Sequence, residues 1–202
     1  MTNEYSNRFN DLLRSTNREG VVQVIGCLES LGFFKAPASA RHHLAVEGGL
    51  VRHSLNVYSQ SEAIREAQIR LDGSLEQELP MDSVIIASLL HDVCKADIYR
   101  KVERFRKDEN GKWEKYWTYD ADYSDYPLGH GEKSVVRLLR MGLVMTEQEI
   151  AAIRWHMAGW ELPDSMESKG NFSAACMKYP LLSVIVAADE LATRITEVRD
   201  GK

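Results

Sequence analysis

Six histidines punctuate the chain, His42, His43, His53, His91, His130 and His156, and imidazole is the side chain that most often ligates transition metals near neutral pH. Three of them fall on helical faces that otherwise read as apolar. His53 comes three residues after Leu50 and four before Val57. His91 comes four after Ala87 and seven after Val84, with Asp92 beside it, and His156 comes three after Ile153 and six after Ile150. His130 differs, sitting between Gly129 and Gly131 at an expected helix start. Asp189 repeats the inward pattern in the last helix, four residues after Ile185 and seven after Leu182, whereas Glu190 points about 100° away and reads as solvated. Each has an ordinary structural reading: a core histidine bonds backbone carbonyls, and an inward aspartate caps a helix or pairs with an arginine. An ionised carboxylate facing a core is nevertheless costly unless it is paired or bound to metal. If these residues converge from separate helices, they form a nitrogen-and-oxygen ligand set without sulfur, suited to Fe, Mn, Zn, Co or Mg.

Helices must aim those side chains, and most of the 202 residues read as helix. Apolar spacing predicts one from about Val21 to Phe34, followed by a loop with Pro37 and the run Arg41-His42-His43. A helix over Gly49–Leu71 places Leu50, His53, Val57 and Ile64 on one face, and another begins near Pro80 or Asp82, with Asp82 as the expected N-cap. Helices resume at about Glu132–Met141, ended by Gly142. Thr146 and Glu149 spell a capping box that opens a helix through Trp155 and His156, and a last helix runs from Pro180 to about Val198. No repeat or linker divides the chain, so a single domain over 1–202 is expected.

The stretch 99–119 departs from this pattern. Two arms rich in Tyr, Phe, Trp, Val and Thr flank Asn110-Gly111, the signature of a β-hairpin inserted into the helical body. It carries seven Lys and Arg against four Asp and Glu, interleaved with Phe105, Trp113, Tyr116 and Trp117. Aromatic rings among cations suit a nucleobase or a single strand. The expectation preferred here is a hairpin packed on the helical body with a solvated outer face.

Composition narrows the partners. Lys plus Arg number 25 against 30 Asp plus Glu, a net charge of −5, which removes the long-range attraction of a dedicated duplex-DNA binder. A small phosphorylated substrate held by local charges or metal ions is compatible with it. Hydrophobic residues at 44% and charged ones at 27% are those of a globular protein rather than a disordered or fibrous one. The longest apolar runs, 84–90 and 181–188, are too short to span a bilayer, and the polar first residues lack the apolar stretch of a signal peptide. No membrane and a cytoplasmic location are the expectations; composition does not decide whether the chain forms a homo-oligomer. Cys27, Cys94 and Cys176 are odd in number with no CxxC pair, against a disulfide framework or a cysteine-based zinc site.

The order His53, His91-Asp92, Asp189 resembles that of the HD superfamily of metal-dependent phosphohydrolases. Two strings carry the likeness: GGLVRHSLNV at 48–57 is similar to the family's GGLxxHS/T helix, and HDVCK at 91–95 to its HDIGK motif. His130 and His156 fall in the slots of the additional ligands found in the branch that holds two metals. The resemblance spans about residues 42–196 as the core, with 1–40 as a helical lead-in. It implies an all-α bundle interrupted by the hairpin at about residues 99–119.

The resemblance further implies that His53, His91, Asp92 and Asp189 hold a first metal, and that Asp92 bridges to a second one held by His130 and His156. The expected cofactors are two divalent ions, Fe, Mn, Co, Ni or Zn, with Mg as a further choice. Asp92 and Lys95 are the expected catalytic residues, Lys95 holding a substrate phosphate or stabilising the leaving group; the family's glycine before that lysine is Cys94 here. A water activated between the metals attacks phosphorus in such enzymes. Arg41, His42 and His43 precede the first ligand as expected substrate-binding residues, since a similar His-His before GGL occurs in the HD domain of certain exoribonucleases. That favours a nucleotide, cyclic nucleotide or short oligonucleotide as substrate. Two other functions fit the same residues: a diiron protein that activates O₂, and a nucleotide-binding regulatory module without turnover.

Overall fold

The computed structural model describes residues 2–158 and 165–199. Helices α1 (Thr2–Ser15), α2 (Val21–Leu31), α3 (Gly49–Leu71), a single turn α4 (Leu75–Glu78) and α5 (Met81–Leu90) lead to a 3₁₀ turn at Val93–Ala96. Strands β1 (Tyr99–Lys107) and β2 (Trp113–Ala121) follow, then α6 (His130–Arg140), α7 (Glu147–Trp155), α8 (Met166–Lys178) and α9 (Pro180–Leu191). The last helix continues as a π turn, Ala192–Thr196, into the short α10, Glu197–Arg199. No single helix among the described residues is long and apolar enough to cross a membrane.

The centre is a ring of four helices. α3 packs on α5 and α9, and α7 packs on α5 and α9; α1 covers α3 and α5, and α6 lies along α7. Burial follows the sequence pattern. The N-terminal half of α3 buries Leu50, Val51, Leu55, Val57 and Tyr58, while beyond Ser61 no residue is buried and half-buried and exposed positions mix. α5 is buried all round from Ser83 to Leu90, as befits a helix enclosed by neighbours. Phe9, Leu28, Phe33, Ile86, Leu138, Ile153 and Leu181 fill the space between helices. Apolar packing thus fixes four helices that each carry one candidate ligand: His53 on α3, His91 at the end of α5, His156 at the end of α7 and Asp189 on α9.

Several local signals act as expected. The capping box at Thr146 forms in both directions: Glu149 N–H donates to Thr146 Oγ1 and Thr146 N–H to Glu149 Oε2. Glu149 does more than cap. Fully buried, it also accepts two bonds from the Arg18 guanidinium (2.8 and 2.9 Å) and one from Ser83 Oγ (2.6 Å), joining the α1–α2 turn, α5 and α7. Asp82 does not cap α5. Pro80, in extended backbone, occupies the cap position, and Asp82 lies exposed in the first turn, where it still complements the helix dipole. α8 is an addition to the helices read from apolar spacing, capped by Ser165 Oγ, which accepts from Ser168 N–H.

The hairpin pairs Tyr99 with Ala121 through Lys107 with Trp113 in antiparallel register. Its turn is longer than a two-residue one. Asp108 N–H closes onto Lys112 O, and Gly111, at φ +77°, supplies the left-handed residue that follows a type I turn. The hairpin is tied to the body at its base, where Tyr99 Oη donates to Ala38 O and Thr118 Oγ1 to Ala40 O. The expected packing on the helical body does not extend to its outer half. Phe105, Trp113 and Trp117 are 62%, 64% and 56% exposed.

Candidate metal centre

The adjacent pair His91-Asp92 meets a geometric difficulty, because consecutive side chains on an α-helix diverge by about 100°. The chain resolves it by ending α5 at Leu90. His91 is the C-cap, Asp92 takes a bridge-region backbone (φ −105°, ψ 21°), and a 3₁₀ turn follows. Both side chains therefore point into the helical ring, 0% and 1% exposed.

Around Asp92 the other residues converge. Asp92 Oδ2 lies 3.3 Å from His91 Nε2 and 3.6 Å from His53 Nε2, and Oδ1 lies 3.5 Å from His156 Nε2. His53 Nε2 is also 3.3 Å from Asp189 Oδ1 and 3.3 Å from His91 Nε2. The opposite ring nitrogens are all engaged. His91 Nδ1 donates to Ser88 O and His156 Nδ1 to Ile153 O, each at 2.8 Å, and His53 Nδ1 lies 2.9 Å from Glu197 Oε1. A carbonyl oxygen only accepts, so Nδ1 carries the proton of His91 and His156, and their Nε2 lone pairs face the carboxylates.

This arrangement fits metal ions. Ligand atoms on one ion with bonds of about 2.1 Å lie roughly 3.0–3.5 Å apart, and the separations above, 3.3 to 3.6 Å, lie at or just beyond the upper end of that range. Bare lone pairs on facing nitrogens repel unless a cation or proton lies between them, and His156 Nε2 is buried with no hydrogen-bond partner. His53, His91 and Asp189 form one triplet of ligand atoms within 4.8 Å of one another, and His91, Asp92 and His156 form a second. The second rings of hydrogen bonds, to Ser88 O, Ile153 O and Glu197, are the kind that orient metal-ligating histidines.

The electrostatics tell the same story. Without a cation, a proton fills the central position: burial pulls His53 down, but Asp189 and Glu197 outweigh it and raise it to about 10. Burial works against the charge of Asp189, Asp92 and Glu197 as well. His53 nevertheless holds Asp189 and Glu197 below the usual carboxylate range, and Lys95 with His91 holds Asp92 well below it.

Lys95 belongs to the site rather than the surface. The 3₁₀ turn carries it inward, 9% exposed, with Nζ 2.6 Å from Asp92 Oδ2, and burial notwithstanding this pairing keeps the ammonium charged. His130, the first residue of α6, enters a third triplet with Asp92 and Cys94 rather than the one containing His156. Gly131 permits that placement, since a Cβ there would lie 2.1 Å from Arg154 O on α7. Cys94, set aside from any metal role by its odd count and spacing, has Sγ 3.9 Å from Asp92 Oδ1.

The three residues preceding α3 separate. Arg41 turns away to Asp120 at the hairpin base (3.4 Å), and exposed His42 lines a broad cavity of about 1180 Å³ beside α3 and α10. His43 reaches the centre, its ring 5.1 Å from that of His53. It also lines, with Lys95, His156 and Asp189, a smaller cavity of about 230 Å³. Burial and the neighbouring His53 lower its pKa to about 4, so it is a neutral imidazole at physiological pH.

Glu197 joins the site with no inward signal in the sequence. It is 3% exposed, accepts from Asn56 Nδ2 (3.0 Å) and lies 3.9 Å from His43 Nε2. On a regular α-helix, a residue eight beyond Asp189 sits about 80° away from it. The π turn at Ala192–Thr196 takes up roughly one extra residue per turn and brings Glu197 round to the face of Asp189. Helical spacing carries no sign of that turn.

No protein-family model matches this chain, and neither the curated proteins nor the solved structures contain a significant match to it.

Proposed function

We propose that the protein is a metal-dependent phosphohydrolase of the HD type, cleaving a phosphate ester of a nucleotide, cyclic nucleotide or short oligonucleotide. The observation that carries this reading is the convergence of three Nε2 lone pairs on Asp92, with every Nδ1 already engaged by an acceptor. His53, His91, Asp92 and Asp189 would hold one divalent ion. Asp92 with His156, and His130 from the adjoining triplet, would hold a second. Bound there, such ions supply an acidified water and neutralise charge on a phosphoryl group.

The chain's own residues provide the rest. Lys95, charged and fixed beside Asp92 at the cavity, is placed to bind a phosphoryl oxygen and to stabilise negative charge on the departing one. Neutral His43 at the same cavity offers a ring nitrogen to the substrate without adding repulsion to the cations. Half-buried Val186 and Met157 give the cavity an apolar wall.

The test is elemental analysis of the purified protein, followed by a screen of nucleotide monoesters and diesters with Mn, Fe, Co, Ni, Zn and Mg. Hydrolysis that is lost with the metal in His91→Ala and Asp92→Ala supports the reading. Full activity in either variant, or turnover that requires O₂, would refute it.

A further inference from the structure

The two faces of the hairpin differ in a way that its cation count conceals. One face carries Arg100, Arg104 and Arg106, and each is closed by a carboxylate: Asp122 at 2.9 Å, Asp120 at 2.7 Å and Glu114. The other face carries Lys101, Phe105, Lys107, Trp113, Lys115 and Trp117. Its lysines lie along rings, with Lys101 and Lys115 each 5.5 Å from the Trp117 centroid and Lys107 5.5 Å from that of Trp113. Lys115 also pairs with Glu103, while Lys101 and Lys107 have no carboxylate partner among the described residues.

On this second face the register produces a ladder. Successive rungs are Lys107 with Trp113, Phe105 with Lys115, and Glu103 with Trp117, so each rung contributes one exposed ring. Same-face rungs are about 6.7 Å apart. A single strand whose bases are each drawn onto a separate ring spaces them by about twice the stacked rise of roughly 3.4 Å, close to that repeat. A duplex keeps its bases stacked inside and has no use for the rings.

We propose that this face of the hairpin is a binding platform for single-stranded nucleic acid, the rings taking successive bases and the lysines the phosphates between them. Lysines set among the rings are unlike a protein–protein contact, whose centre is depleted of lysine, and they break up the continuous apolar area that a bilayer surface needs. The platform is rooted beside the loop that carries His43 through the bonds of Tyr99 to Ala38 and Thr118 to Ala40. The binding itself stands independently of the phosphohydrolase reading.

The experiment is fluorescence anisotropy of a labelled oligodeoxythymidylate of roughly fifteen nucleotides, in chelator so that hydrolysis cannot consume it. Wild-type protein is expected to bind with affinity that falls as salt rises, and to bind a duplex of the same length less tightly. Trp113→Ala with Trp117→Ala should weaken binding by about tenfold or more, with an unchanged thermal melt because both rings are exposed. Phe at both positions should restore most of the affinity, and Lys101→Gln with Lys107→Gln should flatten the salt dependence. Arg104→Gln on the opposite face should change little. The proposal is overturned if wild type fails to bind, prefers the duplex, or binds equally well without the two tryptophans. Equally, it fails if the tryptophans instead prove to hold two copies of the chain together or to bind lipid vesicles.

Discussion

Two clusters of buried carboxylates lie within the same helical body and differ in one respect. At Glu149 every contact is complete: both oxygens accept from the Arg18 guanidinium, Ser83 and Thr146 add two more donors, and the side chain is fully buried. Around Asp92 the polar atoms crowd together without saturating one another. His156 Nε2 and Glu197 Oε2 have no hydrogen-bond partner, and His53 and His91 present nitrogens to each other at 3.3 Å. A saturated network locks elements in place, whereas acceptors and lone pairs aimed at one point need an additional positive species. That contrast makes Asp92 a candidate ligand and leaves Glu149 a structural carboxylate.

The strongest way to break the comparison is to remove a residue at its centre. Asp92→Ala is expected to lower metal affinity by more than about 100-fold, read by elemental analysis after dialysis against limiting metal. The metal-free variant should also be less stable than metal-free wild type in urea unfolding, because buried Lys95 loses the carboxylate 2.6 Å away. At the other cluster stability alone should change. Glu149→Ala strips Arg18, Ser83 and the cap of their acceptor and should cost about 3–5 kcal/mol in urea unfolding, with the metal content of the folded fraction unchanged.

Glu197→Ala sharpens the distinction, since Glu197 holds His53 from behind. It should weaken metal binding by about 10–100-fold with a smaller loss of stability, measured by competition with a chelating dye.

The smallest effect concerns pH in chelator-stripped protein. Against the penalty of burial, His53 holds Asp189 and Glu197 below the usual carboxylate range, so their contribution is present above about pH 4 and is lost as pH falls through the depressed values. The raised His53 contributes fully below about 6.5, its unfolded value, and loses that contribution as pH climbs through about 10. Buried His43, neutral in the fold down to about pH 4, loses its contribution as pH falls below about 6.5, so urea midpoints should peak near pH 6.5 and decline on either side; a flat profile would contradict the pairing.

What could be read in advance was local or periodic. The bounds of α3 and the capping box at Thr146 are written in a few neighbouring residues, and the structure has both. The inward spacing of His53, His156 and Asp189 marks residues that do share one centre, with His91 and Asp92 joining them. Signals that depend on backbone detail were less legible. Pro80 takes the cap position expected of Asp82, and Asn110-Gly111 closes a longer turn than a two-residue one. Glu149 reads as a cap alone because Arg18 lies 131 residues away in the chain, and Glu197 carries no inward signal because regular helical phase does not include the π turn that brings it round.

By itself, then, the amino-acid order determined that the chain is helical with one hairpin, and that His53, His91, His156 and Asp189 face inward, since period and capping act over a few residues. Only the packed structure decided that four helices close into a ring around Asp92, that Lys95 turns inward while Arg41 turns away, and that Glu197 completes the centre. It also decided that the lysines and rings of the hairpin share one face and its paired arginines the other. Those outcomes depend on distances between residues remote in sequence, and burial energy between helices, rather than local preference, sets such distances.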